Sequence, residues 1–307
     1  MIFAVLTAAL FATSVIFGHR AAKLAGSLEA NFWRVILATV FLSLFAFSFG
    51  AGLSGGVVGW FALSGAIGVG LGDFAIYHAL PMLGPRIASL CVQCLMAVFA
   101  ALIEWLWLGT TFSLLQGVLS ITILAGVVTA LGTLDEVRSH ARTLGPGMAL
   151  AAFGAAATAA GAVISRKAYE ILHAHQTNLD GLTAGFQRML GGLGVSLLFY
   201  LALRLRQPRD RSATAAPLLA IATPERRRAW GWIIGNSLAG QTLGVSCMQW
   251  ALARIPAAQV LVIVATTPIL VIPMARVFEG ERIRPRAAVG SILAVGGVVG
   301  LILTRQH

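Results

Sequence analysis

The stretch "GWFALSGAIGVGLGDFAIYHAL", residues 59–80, returns 172 positions later as "GWIIGNSLAGQTLGVSCMQWAL", residues 231–252. Seven of the 22 positions are identical: the Gly-Trp pair, Gly68 with Gly240, Leu71-Gly72 with Leu243-Gly244, and Ala79-Leu80 with Ala251-Leu252. A composition rich in Gly, Ala and Leu inflates single matches but not their shared order, so the chain reads as an internal repeat. Each copy is an apolar run long enough to cross a hydrocarbon layer of about 30 Å as a helix. The first copy nevertheless carries Asp73, Tyr77 and His78.

The repeat extends in both directions. After a one-residue slip Ser120-Ile121 matches Ser291-Ile292, and Gly126-Val127-Val128 matches Gly297-Val298-Val299. Upstream, Arg34 falls on Arg188. Two units are expected, 1–132 and 146–305.

Composition fixes the solvent. The 307 residues are 58% hydrophobic and 11% charged, with a mean hydropathy of +0.86, which no soluble domain of this size carries. The first run, Ile2 to Phe17, has no basic segment before it and no small-residue cleavage site after it, so it reads as a retained span. Ten runs of spanning length are expected, at about 2–18, 31–50, 57–80, 86–107, 114–131, 147–165, 182–203, 230–252, 257–275 and 286–304. No run has the short alternation of a membrane strand. The expected fold is all-α integral membrane, with ten transmembrane helices as two inverted five-helix repeats, because an odd number of spans per copy makes the second copy enter in the opposite sense.

The net charge of +11 does not mark a nucleic-acid binder, since the basic residues lie between apolar runs and not on one face. Sixteen of the 22 fall in odd-numbered connections, seven of them between Arg204 and Arg228. The positive-inside rule then puts those connections in the cytoplasm and both termini outside. Cys91, Cys94 and Cys247 all sit inside apolar runs and form no disulfide framework.

The chain resembles the drug/metabolite transporter superfamily, with two EamA-type halves. The resemblance rests on Arg34 and Arg188 early in the second span of each half, Ala-Leu in "YHALPMLGP" and "MQWALARIP", "TTPILV" in span nine, "FEGERI" after it, and the Gly-Val pairs of spans five and ten. Thr110 departs from the pattern, standing where glutamate is usual after Leu-Gly, and span four has no proline answering Pro268. The resemblance implies a cell (inner) membrane, multi-pass transporter, usually drawn with both termini inside, against the charge count.

Candidate site residues are the polar groups set deep in spans, where a charge costs at least about 2.5–3.5 kcal/mol unless it faces a partner or a cavity. Asp73 is too short to snorkel, and Tyr77 shares its helix face. Asp73 is expected to bind a cationic group or exchange a proton, with a structural ion pair as the alternative. Gln241 and Gln249 share a face of span eight, with Trp250 beside the second. Ser89, Gln93, Ala97, Ala100 and Glu104 form one stripe of span four, read as a cavity wall, with Glu104 near enough the helix end to reach interfacial water. Pro268, after Thr266-Thr267, frees a backbone carbonyl and is a hinge candidate. Gly68-Gly72 and Gly240-Gly244 are G-x-x-x-G faces for close helix approach.

No cofactor or metal is called for. There is no Walker G-x-x-x-x-G-K-[ST] and no H-E-x-x-H, and "GVGLGD" lacks the third glycine of a dinucleotide fingerprint. The reading is a secondary transporter, exporter or exchanger, of a small polar or amphipathic metabolite by alternating access, with protons as a candidate coupling ion. Membrane lipid and the solute are its expected partners. A flippase of a lipid-linked substrate and a non-transporting membrane scaffold are the alternatives, and an enzyme is not expected.

Overall fold

A computed structural model describes residues 1–110, 113–131, 144–206, 224–271 and 285–303. Among these residues every regular element is a helix, with no strand. The helices are α1 (Ile2–Ala25), α2 (Ser27–Ser48), α3 (Val58–Gly65), α4 (Asp73–Leu108), α5 (Leu114–Leu131), α6 (Leu144–Ala174), α7 (Gly181–Arg206), α8 (Pro224–Asn236), α9 (Val245–Leu252), α10 (Ala257–Val264) and α11 (Pro285–Leu303). Two π-helical segments, Ala66–Gly72 and Ser237–Gly244, join α3 to α4 and α8 to α9.

Six helical stretches are long and apolar enough to cross a membrane: Ile2–Ala25, Ser27–Ser48, Val58–Ala79, Leu90–Leu108, Leu144–Ala174 and Gly181–Leu203. Leu114–Thr129 and Ala257–Val271 are apolar but shorter. Large apolar side chains face outward along the helices, including Leu44, Phe47, Leu114, Ile121 and Leu198, and Ile292 of α11. This is the exterior of a protein solvated by lipid, where no energy is gained by hiding leucine.

Helix ends depart from the hydropathy boundaries where local backbone chemistry decides them. The first helix was expected to stop near residue 18, yet α1 runs on past Arg20 and Lys23 to Ala25. It ends at Gly26, whose φ of +83° breaks the helical run. The expected stop of span six at 165 is likewise overrun to Ala174. At the start of α7, Asp180 supplies the cap that hydropathy does not report. Its Oδ1 accepts bonds from the Leu182 and Thr183 amides, both at 2.9 Å, and its Oδ2 accepts from the Thr183 hydroxyl.

Spans three and four were expected as separate runs, 57–80 and 86–107, but helical hydrogen bonding continues through the residues between them. The chain still reverses there. The Trp60 and Trp107 rings are 6.2 Å apart, whereas a straight helix would separate them by roughly 70 Å. Midway between the two tryptophans stands Leu83-Gly84-Pro85, and proline is a usual cause of a sharp helix bend.

Packing pairs helices from different halves of the sequence. α4 runs along α6, and α1 runs along α8 and its π segment. α2 packs on α7, α5 on α11, and α10 on α4. The main core gathers Phe61, Ala97, Ala100, Tyr169, Leu172, Leu252 and Leu261, with Phe61 meeting Tyr169 edge-on at 5.1 Å. The expected polar wall of span four is therefore corrected in part: Ala97 and Ala100 are buried in this core and not on a cavity surface. The Ser89 side chain lies outside the described residues.

Small residues permit this proximity. A methyl group on Gly161 would come within 2.7 Å of the Ser64 carbonyl and 2.8 Å of the Gly68 Cα, and one on Gly72 within 2.7 Å of the Thr158 hydroxyl. Gly161→Ala should therefore destabilise by about 1–3 kcal/mol through overpacking. Gly59→Ala, at a position with nothing within 4 Å, should stay within about 0.5 kcal/mol of the parent. Thermal unfolding of the detergent-purified variants checks the contrast.

Candidate functional site

The polar centre starts on α2. Asn31 and Arg34 lie three residues apart on one face of it, and the Asn31 Oδ1 accepts a 2.9 Å bond from the Arg34 Nε. That bond aims the guanidinium at Asp73, the first residue of α4. The Arg34 Nη2 lies 2.6 Å from the Asp73 Oδ2, and the two side chains are only 9% and 18% exposed. The same Oδ2 accepts a 3.1 Å bond from the Gln241 Nε2. Tyr77, one turn beyond Asp73, places its ring 5.0 Å from the Arg34 guanidinium carbon. Next to these groups, the Ser237 hydroxyl donates to the Arg34 carbonyl at 2.9 Å, and the Ser14 hydroxyl donates to the Asn236 Oδ1 at 2.6 Å.

Gln241 lies within the second π segment and Asp73 directly follows the first. A π turn adds a residue to the helical register and so re-aims the side chains around it, which is why such turns are frequent at functional sites. Glycine lets the surrounding helices close in. A Cβ at Gly68 would come within 2.7 Å of the Arg188 Nη2, and one at Gly65 would collide with the Arg188 backbone.

Arg188 forms the other half of the polar centre. It is 1% exposed. Its Nη1 donates to the Ser64 hydroxyl at 2.8 Å, to the Ser165 hydroxyl at 3.2 Å and to the Gly161 carbonyl at 3.4 Å. Gln249, fully buried, donates from Nε2 to the same Ser165 hydroxyl at 3.3 Å.

The structure thus brings Asp73, Tyr77 and Gln241 together, and Gln249 into the adjoining Arg188 network. Others of the expected residues stand apart. Glu104 does not reach water: it is fully buried, and its two carboxylate oxygens accept bonds from the Ala257 and Ala258 amides at 2.7 and 2.9 Å. It closes the N-terminus of α10, where free amides and the helix dipole favour an anion. Gln93 is half-buried with its Oε1 unbonded. Trp250 packs on Phe3 with ring centroids 5.3 Å apart. His78 turns outward and bonds the Phe74 carbonyl through Nδ1 at 2.8 Å. At Pro268 the helix breaks at Ala265-Thr266. The carbonyl freed by the proline, that of Val264, is taken by the Thr267 hydroxyl at 2.6 Å.

Arg34 and Arg188 served the sequence reading as markers of the repeat and of the family resemblance, not as site residues. The signal that would have placed them in the site is their position: each lies inside an apolar span, where a cation needs a reason to be. Among the described residues no three of His, Cys, Asp and Glu gather as metal ligands would.

A charged centre enclosed by helices with an apolar exterior defines an integral membrane protein. The sequence profile of the EamA-like transporter family matches residues 1–132 and 145–303, and the chain belongs to that family of membrane transporters. No curated protein matches the chain. A solved crystal structure 18% identical in sequence superposes with a TM-score of 0.71, over 98% of this chain and 96% of its own, and shares its fold.

Removing one member of a buried ion pair strands the other charge. Arg34→Gln and Asp73→Asn should each lower the melting temperature, and the double variant should lose less than the sum of the two. The coupling expected from a double-mutant cycle on purified protein is on the order of 0.5–3 kcal/mol.

Proposed function

We propose that the protein is a secondary carrier, an exporter or exchanger of a small polar or amphipathic solute in the cell (inner) membrane. In this reading ten spans form two inverted five-helix halves, 1–132 and 146–305, that rock against each other about a central site. The observation that carries it is the Arg34–Asp73–Gln241 arrangement, which joins an ion pair of the first half to an amide of the second. Support for a two-fold relation of the halves comes from two further facts. The π segments at 66–72 and 237–244 fall at matching places in the repeated stretch. The main packing pairs also map onto one another when the halves are exchanged, α4 on α6 answering α1 on α8 and α9.

Alternating access needs bonds across the halves that break and reform, and this arrangement has a way to break. A proton on Asp73 cancels the charge that holds Arg34 and leaves a neutral acid beside Tyr77 and Gln241. A cationic group on a solute would compete with Arg34 for the same oxygens. Proton binding and the ion pair exclude each other, and a neutral Asp73 also gives up the charge that holds Gln241 from the other half, so proton movement couples to the contact between the halves. Gln241, Gln249 and Tyr77 supply hydrogen bonds to the solute in this scheme, Trp250 flanks the second amide, and Pro268 marks where the helix after α10 can flex. The basic connections face the cytoplasm by the positive-inside rule.

Proteoliposomes holding a pH dye test the scheme. Wild-type protein should exchange a solute by counterflow and accumulate it down an imposed pH gradient. Asp73→Asn should lose the pH-driven accumulation, and accumulation that survives in this variant would remove Asp73 from the coupling role.

A further inference from the structure

The two repeats contribute two buried guanidiniums to the centre but a single carboxylate. Arg34 holds Asp73 at 2.6 Å. Arg188, more deeply buried, meets only neutral oxygens, those of Ser64, Ser165 and Gly161, and its Nε has no partner. Among the described residues no carboxylate stands within ion-pair distance of it. The repeat shows why: the position 172 residues after Asp73 is Val245, which packs in an apolar cluster with Phe186 and Met189 on either side of the Arg188 helix turn.

Beside this guanidinium lies a second unmet polar atom. Gln249 spends its Nε2 on Ser165, while its Oε1 is buried and unbonded. The Gln241 Oε1 is in the same condition next to Asp73. One guanidinium N–H and two amide acceptors left without partners away from water are costly unless something else supplies the missing contacts.

We propose that Arg188 is the docking point for an anionic group of the transported solute, a carboxylate on a small organic acid, with the Gln249 Oε1 accepting a hydrogen bond from a donor on the same solute. The proposal rests on the carrier reading above and deepens it by naming the substrate's charge. A carboxylate is suited to the free Nε edge of a guanidinium, where charge-assisted bonds are short and strong. The asymmetry of the site then has a use. The first half neutralises its own arginine with Asp73, and the second half leaves its arginine for the solute, so that binding completes the charge balance of the closed centre.

The test is thermal stabilisation of the full-length purified protein by matched probes: acetate, lactate and phenylacetate, each against its own amide, at fixed sodium chloride. The acids should raise the melting temperature and the amides should not, with lactate exceeding acetate because its hydroxyl can donate to Gln249. In Arg188→Gln the apparent affinity for the acids should fall about tenfold or more, while Arg188→Lys should retain the preference for acid over amide. Acids and amides that act alike, or an acid effect undiminished in folded Arg188→Gln, would overturn the assignment. If Arg188→Gln does not fold, the comparison of acid with amide in wild type and in Arg188→Lys decides alone. Counterflow of the same probes separates this outcome from the carrier reading. Exchange of the amides as fast as the acids keeps the carrier and removes the anion site. Stabilisation by acids without any exchange keeps the anion site and removes the carrier.

Discussion

A single ion pair held away from water organises the structure. Arg34 and Asp73 come from helices that the chain must bring together in an apolar medium, where an unpaired charge costs at least about 2.5–3.5 kcal/mol. The pair forms because three helices cooperate: Asn31 aims the guanidinium from α2, the π segment before α4 presents the carboxylate, and Gln241 binds that carboxylate from the second π segment. Remove any of these and the others are left with unmet polar atoms. The same requirement explains why the surrounding helices are rich in glycine, because the approach of α3 and its π segment to α6 and α7 leaves no room for side chains at Gly65, Gly68 or Gly161.

The centre is also unbalanced, and the imbalance gives it its chemistry. Its two guanidiniums differ, one bound to an internal acid and the other to hydroxyls and a carbonyl. Glu104, which a reading of charges alone would set beside them, instead closes the amide end of α10 and belongs to the scaffold by its bonds. The charged residues of the membrane interior therefore divide by what they touch, a division that proximity along the sequence does not reveal.

Much of the fold was legible before any coordinates. Length and apolarity marked the helices, and the repeated "GW…G..LG" pattern marked both π-bearing stretches, whose glycines at 68 and 72 do meet α6 closely. Of the site, Asp73, Tyr77 and Gln241 could be read from the oddity of polar groups deep in a span. Arg188 could not be assigned a role, because a sequence shows a cation in lipid but not whether an acid answers it. The cavity wall expected in span four is overturned at Ala97, Ala100 and Glu104 for a related reason. Helical periodicity puts Gln93, Ala97, Ala100 and Glu104 on one face, but only packing decides whether that face meets a solute or a core. The helix end at Gly26 was missed, and the Asp180 cap went unread although the start of its helix was placed to within a residue, because hydropathy averages over the single residues that set such ends.

The central claim is that the site around Asp73 opens to each side of the membrane in turn. Labelling of Tyr77→Cys by a membrane-impermeant thiol reagent, in a protein whose Cys91, Cys94 and Cys247 are replaced by serine, tests it most directly. The account predicts reaction when the reagent is applied from either side of sealed vesicles of known orientation, slowed in both cases by a bound solute. Reaction from one side only, whatever solute or pH gradient is imposed, would contradict it.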